Sequence, residues 1–131
     1  MNPAQAPPPP PALSPPETDR WITELKRGGT KLAILQLIRQ QDRYGYEIVS
    51  ELASHSGGEL ALAEGNVYPA LHGLERDGAV ASYWREIEPG VPPRKYYRIT
   101  TAGIQQHEAM VATWTNYTKS LNRLLNGGLK K

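Results

Sequence analysis

Asn66, Tyr68, His72 and Arg76 are spaced to touch a ligand from one short segment, AEGNVYPALHGLERDG at 63–78. Val67, Ala70, Leu71 and Leu74 recur there at helical spacing and make an apolar stripe. Gly65, Pro69, His72 and Arg76 fall on the opposite side, which is therefore small, polar and basic. An asparagine amide pairs bidentately with adenine, while His72 and Arg76 suit bases or phosphates and Tyr68 a thymine methyl or a phosphate. Arg85, Arg94, Lys95 and Arg98 add the cations that phosphate contact requires. Glu64 suits the positive end of the helix dipole, and Gly78 ends the helix.

Other chemistries find little support. The chain has no Cys, which excludes disulfides, thiolate metal sites and cysteine nucleophiles. His55, His72 and His107 lack metal-ligand spacing, so no metal is expected. There is no Gly-rich phosphate loop after a strand and no nucleophile motif, so neither enzyme activity nor a cofactor is expected. No apolar run nears the ~18 residues of a membrane span, and no signal-peptide pattern opens the chain, so a cytoplasmic protein is expected. A length of 131 residues suggests one domain, and a net charge of +2 is compatible with nucleic acid.

The elements that must position these residues follow in order. Eight of twelve prolines lie in the first sixteen residues, and residues 1–13 read as polyproline II or a disordered tail. Such a tail is either solvated or a ligand for a proline-recognising domain. Ser14-Pro15-Pro16-Glu17 fits a capping box. Trp21, Leu25, Leu32 and Leu35 keep helical phase across Gly28-Gly29, predicting one helix to Gln40 or two in line. The narrow face of Trp21, Ile22 and Leu25 is expected to pack outside the domain core, on a second subunit. Asp42-Arg43 read as a turn, Tyr44–His55 as a second helix, and Glu59–Leu62 as a minimal strand. Tyr46 is expected to be buried, and Tyr44 either to contact phosphate or to pack on the third helix. Residues 80–86 and 94–100 form a hairpin with an exposed tip, in which one of Tyr96 and Tyr97, and one of Tyr83 and Trp84, should face inward. Thr100 or Thr101 caps a last helix, 101–126, on which Met110, Trp114, Tyr117, Leu121 and Leu124 make a four-three-four-three seam. Residues 127–131 read as a flexible tail.

Three short helices and then a hairpin is the winged helix-turn-helix order, so the expected fold is mainly α with a minor sheet and a long C-terminal dimerisation helix. The winged domain spans 14–100, with 14–27 as a helical extension. In this arrangement the third helix enters the major groove of double-stranded DNA and the hairpin flanks it. The competing reading is a winged helix used for protein–protein contact, with the proline tail as a second docking element. DNA binding predicts that Asn66, Tyr68, His72 and Arg76 lack intramolecular partners.

YGYEIVSEL at 44–52, LAEGNVYPALHGLERDGAV at 62–80 and RKYYRITTAG at 94–103 resemble the signature blocks of the PadR family of bacterial transcriptional regulators. The resemblance covers about residues 26–126. ASYW at 81–84 together with Trp114 is similar to the multidrug-sensing LmrR type of the short subfamily. The resemblance implies a two-fold homodimer through the first and last helices, a palindromic operator, repression, and release by small aromatic effectors. Carried over by position, it implies that Tyr44, Glu64, Asn66, Tyr68, His72 and Arg94 face DNA, beside Arg76 and Lys95. It implies an effector pocket between subunits at Trp114, with Met110 and Trp21 as neighbours. The implied dimer interface comprises Trp21, Leu25, Met110, Trp114, Tyr117, Leu121 and Leu124. Ala63 stands where Ser is usual, and Ala is the weaker cap by about 1 kcal/mol. Asn66 stands where Thr is common, and the wing tip is GVPPRK rather than basic and glycine-rich.

Overall fold

A computed structural model describes residues 12–127 of the chain. The proline run at 1–11 and the tail at 128–131 lie outside the described residues. The Ser14 hydroxyl accepts the Glu17 N–H (3.3 Å), and the Glu17 carboxylate accepts the Ser14 N–H (3.1 Å). This capping box starts α1, Pro15–Gln40, which runs unbroken through Gly28-Gly29. Its C-terminal half buries Ile34, Leu35, Leu37 and Ile38, whereas Trp21, Ile22 and Leu25 stay exposed.

Beyond α1 the expected turn at Asp42-Arg43 is instead a two-residue strand, β1 (Arg43–Tyr44). The strand expected at Glu59–Leu62 is absent. A one-turn 3-10 helix at Ser56–Gly58 leads into a turn there, held by Ala61 N–H to the Gly58 carbonyl (3.0 Å) and by Lys26 Nζ to the Ala61 carbonyl (2.7 Å). The strand position beside the hairpin goes to β1 because Tyr44 packs its ring on Tyr96, with centroids 5.4 Å apart.

Helix α2, Gly45–Ser54, buries Gly45, Ile48 and Leu52. Tyr46 is 60% exposed, contrary to expectation. It lies two residues from Ile48, about 200° around the helix from the core. Helix α3, Glu64–Arg76, buries Val67, Leu71, Gly73 and Leu74. Gly78 follows with φ +76°, a left-handed conformation suited to glycine, and Ala79 N–H closes on the Leu74 carbonyl (2.9 Å).

Strands β2 (Val80–Arg85) and β3 (Arg94–Ile99) form the wing, with β3 central in the antiparallel order β1-β3-β2. Tyr97 faces the helices and is buried. Tyr96, on the other face, is buried too, so the expectation of a single inward tyrosine fails. The cause is a second aromatic layer: Tyr44 and Tyr83 cover Tyr96 from β1 and β2. Tyr83 is half-buried in that layer. Trp84 alternates to the helix side but lies far enough along the hairpin to remain 68% exposed.

Helix α4, Thr101–Gly127, begins where Thr100 Oγ1 accepts the Gly103 N–H (2.9 Å) and donates to the Gly78 carbonyl (2.6 Å). Its first turns bury Gly103 and His107, and Met110 packs half-buried against the core. The result is a winged helix-turn-helix of α1–α3 and β2–β3, with a long helix departing from it.

Candidate nucleic-acid interface

The wing and the start of α2 meet α3 in a cleft of about 270 Å3. Its walls are Tyr44 and Tyr46 from the β1–α2 junction, Tyr68 and His72 from α3, and Arg94 and Lys95 from β3. No carboxylate lines it. Four of these residues are three or four apart or adjacent in sequence, so local periodicity alone pairs them. Only the sheet, through Tyr44↔Tyr96 pairing, brings the β1 and β3 residues to the same edge.

Cation–aromatic contacts order the basic groups. The Arg94 guanidinium sits 4.6 Å from the centre of the Tyr44 ring, and Lys95 Nζ lies 5.6 Å from that of Tyr97. Tyr68 is packed rather than free. Its ring lies against Gly45, where an added β-carbon would overlap it. Tyr68 therefore both lines the cleft and seats α3 on α2.

The remaining predicted residues lie elsewhere. Asn66 is about 200° from Tyr68 around α3. It faces a separate groove of about 630 Å3 against α1, with Lys26, Arg27 and Lys31 on the far wall. Glu64 is exposed in the first turn and Arg76 in the last. Among the described residues, the side chains of Asn66, His72 and Arg76 make no hydrogen bond or ion pair. Ala63 provides no side-chain cap, and α3 begins at Glu64. Sequence reasoning missed Tyr46 as a wall of the cleft; its phase relative to Ile48 was the available signal.

It also missed Arg43, which is 7% exposed. Arg43 Nε donates to the Leu37 carbonyl (2.9 Å) and Nη2 to Gln40 Oε1 (3.0 Å), while Nη1 lies 3.9 and 3.8 Å from Glu47 and Glu51. It ties the end of α1 to α2, one residue before Tyr44 of the cleft.

A second, apolar recess of about 430 Å3 lies between α1 and α4, lined by Gly28, Leu32, Met110, Thr113, Trp114 and Tyr117. The Trp114 ring rests over Gly29. Within one protomer Trp21 is not beside Trp114; it borders a different groove with Leu13, Glu17, Arg20 and Glu24. Trp21, Leu25, Trp114, Tyr117, Leu121 and Leu124 are all between 39% and 65% exposed. No helix among the described residues is long and apolar enough to cross a membrane.

Residues 34–109 match the transcriptional regulator PadR-like family. The chain is 32% identical over 82 residues to the transcriptional regulator Rv3488 of Mycobacterium tuberculosis, covering 63% of this chain and 72% of that protein. Its fold resembles the crystal structure of a PadR family transcriptional regulator from Eggerthella lenta, with a TM-score of 0.73, 31% identity, and coverage of 84% of this chain and 93% of that one. It also resembles Bacillus subtilis PadR, solved in complex with operator DNA, with a TM-score of 0.57 and 27% identity over 63% of this chain and 46% of that one. Over half of the chain thus carries the family's pattern on the family's fold, and the chain belongs to the PadR-like family of transcriptional regulators.

Proposed function

We propose that this protein is a dimeric, cytoplasmic DNA-binding repressor that reads a palindromic operator and is released by a small aromatic effector. The observation that carries the reading is the acid-free cleft of tyrosines and cations beside the exposed face of α3. Tyr44, Tyr46, Arg94 and Lys95 would hold backbone phosphates, and His72 would reach the groove from α3. Asn66 and Arg76 would contact DNA from the flank and far end of α3, with Glu64 setting the charge of its first turn. That B. subtilis PadR was solved with operator DNA supports the same partner here.

Dimerisation is supported by α4. It has 27 residues, or about 40 Å, yet after His107 it leaves its apolar residues half-buried or exposed within the protomer. Its apolar seam and the Trp21–Leu25 face of α1 leave Trp21, Leu25, Trp114, Tyr117, Leu121 and Leu124 open to solvent, as an interaction surface would. The Trp114 recess lies between these surfaces and suits a planar aromatic ligand.

Electrophoretic mobility shift on the promoter region of the protein's own gene tests the reading. A salt-sensitive shift is expected; none up to about 10⁻⁴ M sinks the DNA claim and leaves a protein-contact module. A solution mass of 14.5 kDa at micromolar concentration sinks the dimer.

A further inference from the structure

We infer that Arg85 and Arg94 form a single clamp for one backbone phosphate of duplex DNA, placed on the outer face of the wing beyond the α3 cleft. The inference rests on the DNA-binding reading above. Arg85 and Arg94 are direct partners across β2 and β3, so they leave the same face of the hairpin at the root of its tip. Like charges directly opposite each other on a hairpin repel. Among the described residues neither guanidinium forms an ion pair with a carboxylate, Glu86 and Glu88 of the adjoining loop included. The repulsion is therefore uncompensated within the protomer, and an anion between the two would relieve it.

Both guanidiniums are also held in place. Arg85 lies 5.1 Å from the centre of the Tyr96 ring and Arg94 4.6 Å from that of Tyr44. Those two rings touch each other, with centroids 5.4 Å apart. Tyr96 stacks in turn on Tyr83 at 5.9 Å and 21°, and the Tyr83 hydroxyl donates to Asp42 at 2.5 Å. One connected aromatic platform thus carries both cations. A guanidinium stacked on a ring uses its face and leaves its in-plane N–H donors for a ligand. Two such forks side by side match the several oxygens of a phosphate. The ligand is assigned as a duplex phosphate because Arg94 lines the α3 cleft as well, so the clamp continues that surface outward, where the strands present phosphate rather than base edges. Tyr44 and Tyr96 act through the arginines and are positioning residues.

The test is the salt dependence of the mobility shift for the full chain and for R85Q, R94Q and the double variant. Each neutralised phosphate contributes about 0.9 to the slope of log affinity against log salt. A clamp on one phosphate predicts that the double variant lowers the slope by about one in total, and that its loss of affinity falls short of the product of the single losses. Two independent contacts would lower the slope by about two, and that result overturns the clamp. So does an unchanged affinity in R85Q while the wild-type protein still shifts DNA, since Arg94 alone would then hold the phosphate. Failure of the wild-type protein to shift at all removes the DNA reading and the clamp with it. Tyr96→Phe keeps the ring and should stay within about twofold of wild type in affinity, whereas Tyr96→Leu should reproduce the R85Q loss of affinity. Equal affinities for Tyr96→Phe and Tyr96→Leu refute the positioning role.

Discussion

Tyr68 of α3 sets the phenol end of its ring against Gly45, the first residue of α2, and leaves no space for a side chain there. One contact thereby joins the two helices of the helix-turn-helix and forms the back of the cation cleft. Gly45→Ala would raise helix propensity, which alone is stabilising by up to about 1 kcal/mol. Overlap with the Tyr68 ring outweighs this, because overpacking costs typically 1–3 kcal/mol. A net loss of about 1 kcal/mol or more in urea unfolding is expected, with a weaker DNA shift. A more stable variant would show that Tyr68 moves aside freely.

Arg43 joins α2 to the end of α1. Arg43→Met removes two hydrogen bonds from a buried charged group and leaves Glu47 and Glu51 facing each other. Both carboxylates keep partial access to water, which limits the penalty to about 2–3 kcal/mol. Denaturant titration measures it, and a loss below about 0.5 kcal/mol would refute the strut role.

His107 makes the seam between α1 and α4 sensitive to acid. Arg39 Nη1 lies 2.9 Å from its Nδ1 and can only donate, so Nδ1 accepts, and Nε2–H donates to Gln36 Oε1 (2.6 Å). Burial, then the Arg39 charge, hold the His107 pKa below its ordinary value near 6.5, partly opposed by Glu108. The folded state therefore binds fewer protons than the unfolded state in this range. Its contribution is complete above about pH 6.5 and is lost as pH falls through the folded value. Unfolding free energy measured between pH 7.5 and 5 should fall more steeply for wild type than for His107→Gln. Parallel curves would contradict the assignment.

Trp114 is predicted to carry the response to planar aromatic compounds. Its ring caps the apolar recess, whereas the other two tryptophans, Trp21 and Trp84, lie outside that recess. Fluorescence quenching on titration should persist in Trp21→Phe and disappear in Trp114→Ala, with affinity at least several-fold weaker by calorimetry. Identical responses in wild type and Trp114→Ala would exclude this side chain from binding.

Much of the architecture was readable because its signals are local. A capping box at Ser14–Glu17, the apolar stripe of Val67, Leu71 and Leu74, and the Gly78 stop each lie within a few residues. The third helix, the hairpin and the long last helix followed from such signals, and their order implied the winged fold. The β1 strand escaped because two residues carry no periodicity; only the distant Tyr96 makes Arg43–Tyr44 a strand rather than a turn. Tyr96 itself was misjudged because alternation assigns a strand two faces but cannot say that Tyr44 and Tyr83 will cover the second.

The candidate interface divides along the same line. Sequence alone determined which side chains have the chemistry for DNA and that His72 and Arg76 share the outer side of α3, because a helix fixes angular spacing by residue number. Tertiary structure decided which of them act together. It gathered Tyr44, Tyr46, Tyr68, His72, Arg94 and Lys95 into one cleft, turned Asn66 toward α1, and placed Arg85 beside Arg94 over two tyrosine rings in contact. Those groupings depend on contacts between segments about 50 residues apart, such as Tyr44 and Arg94, which no local pattern encodes.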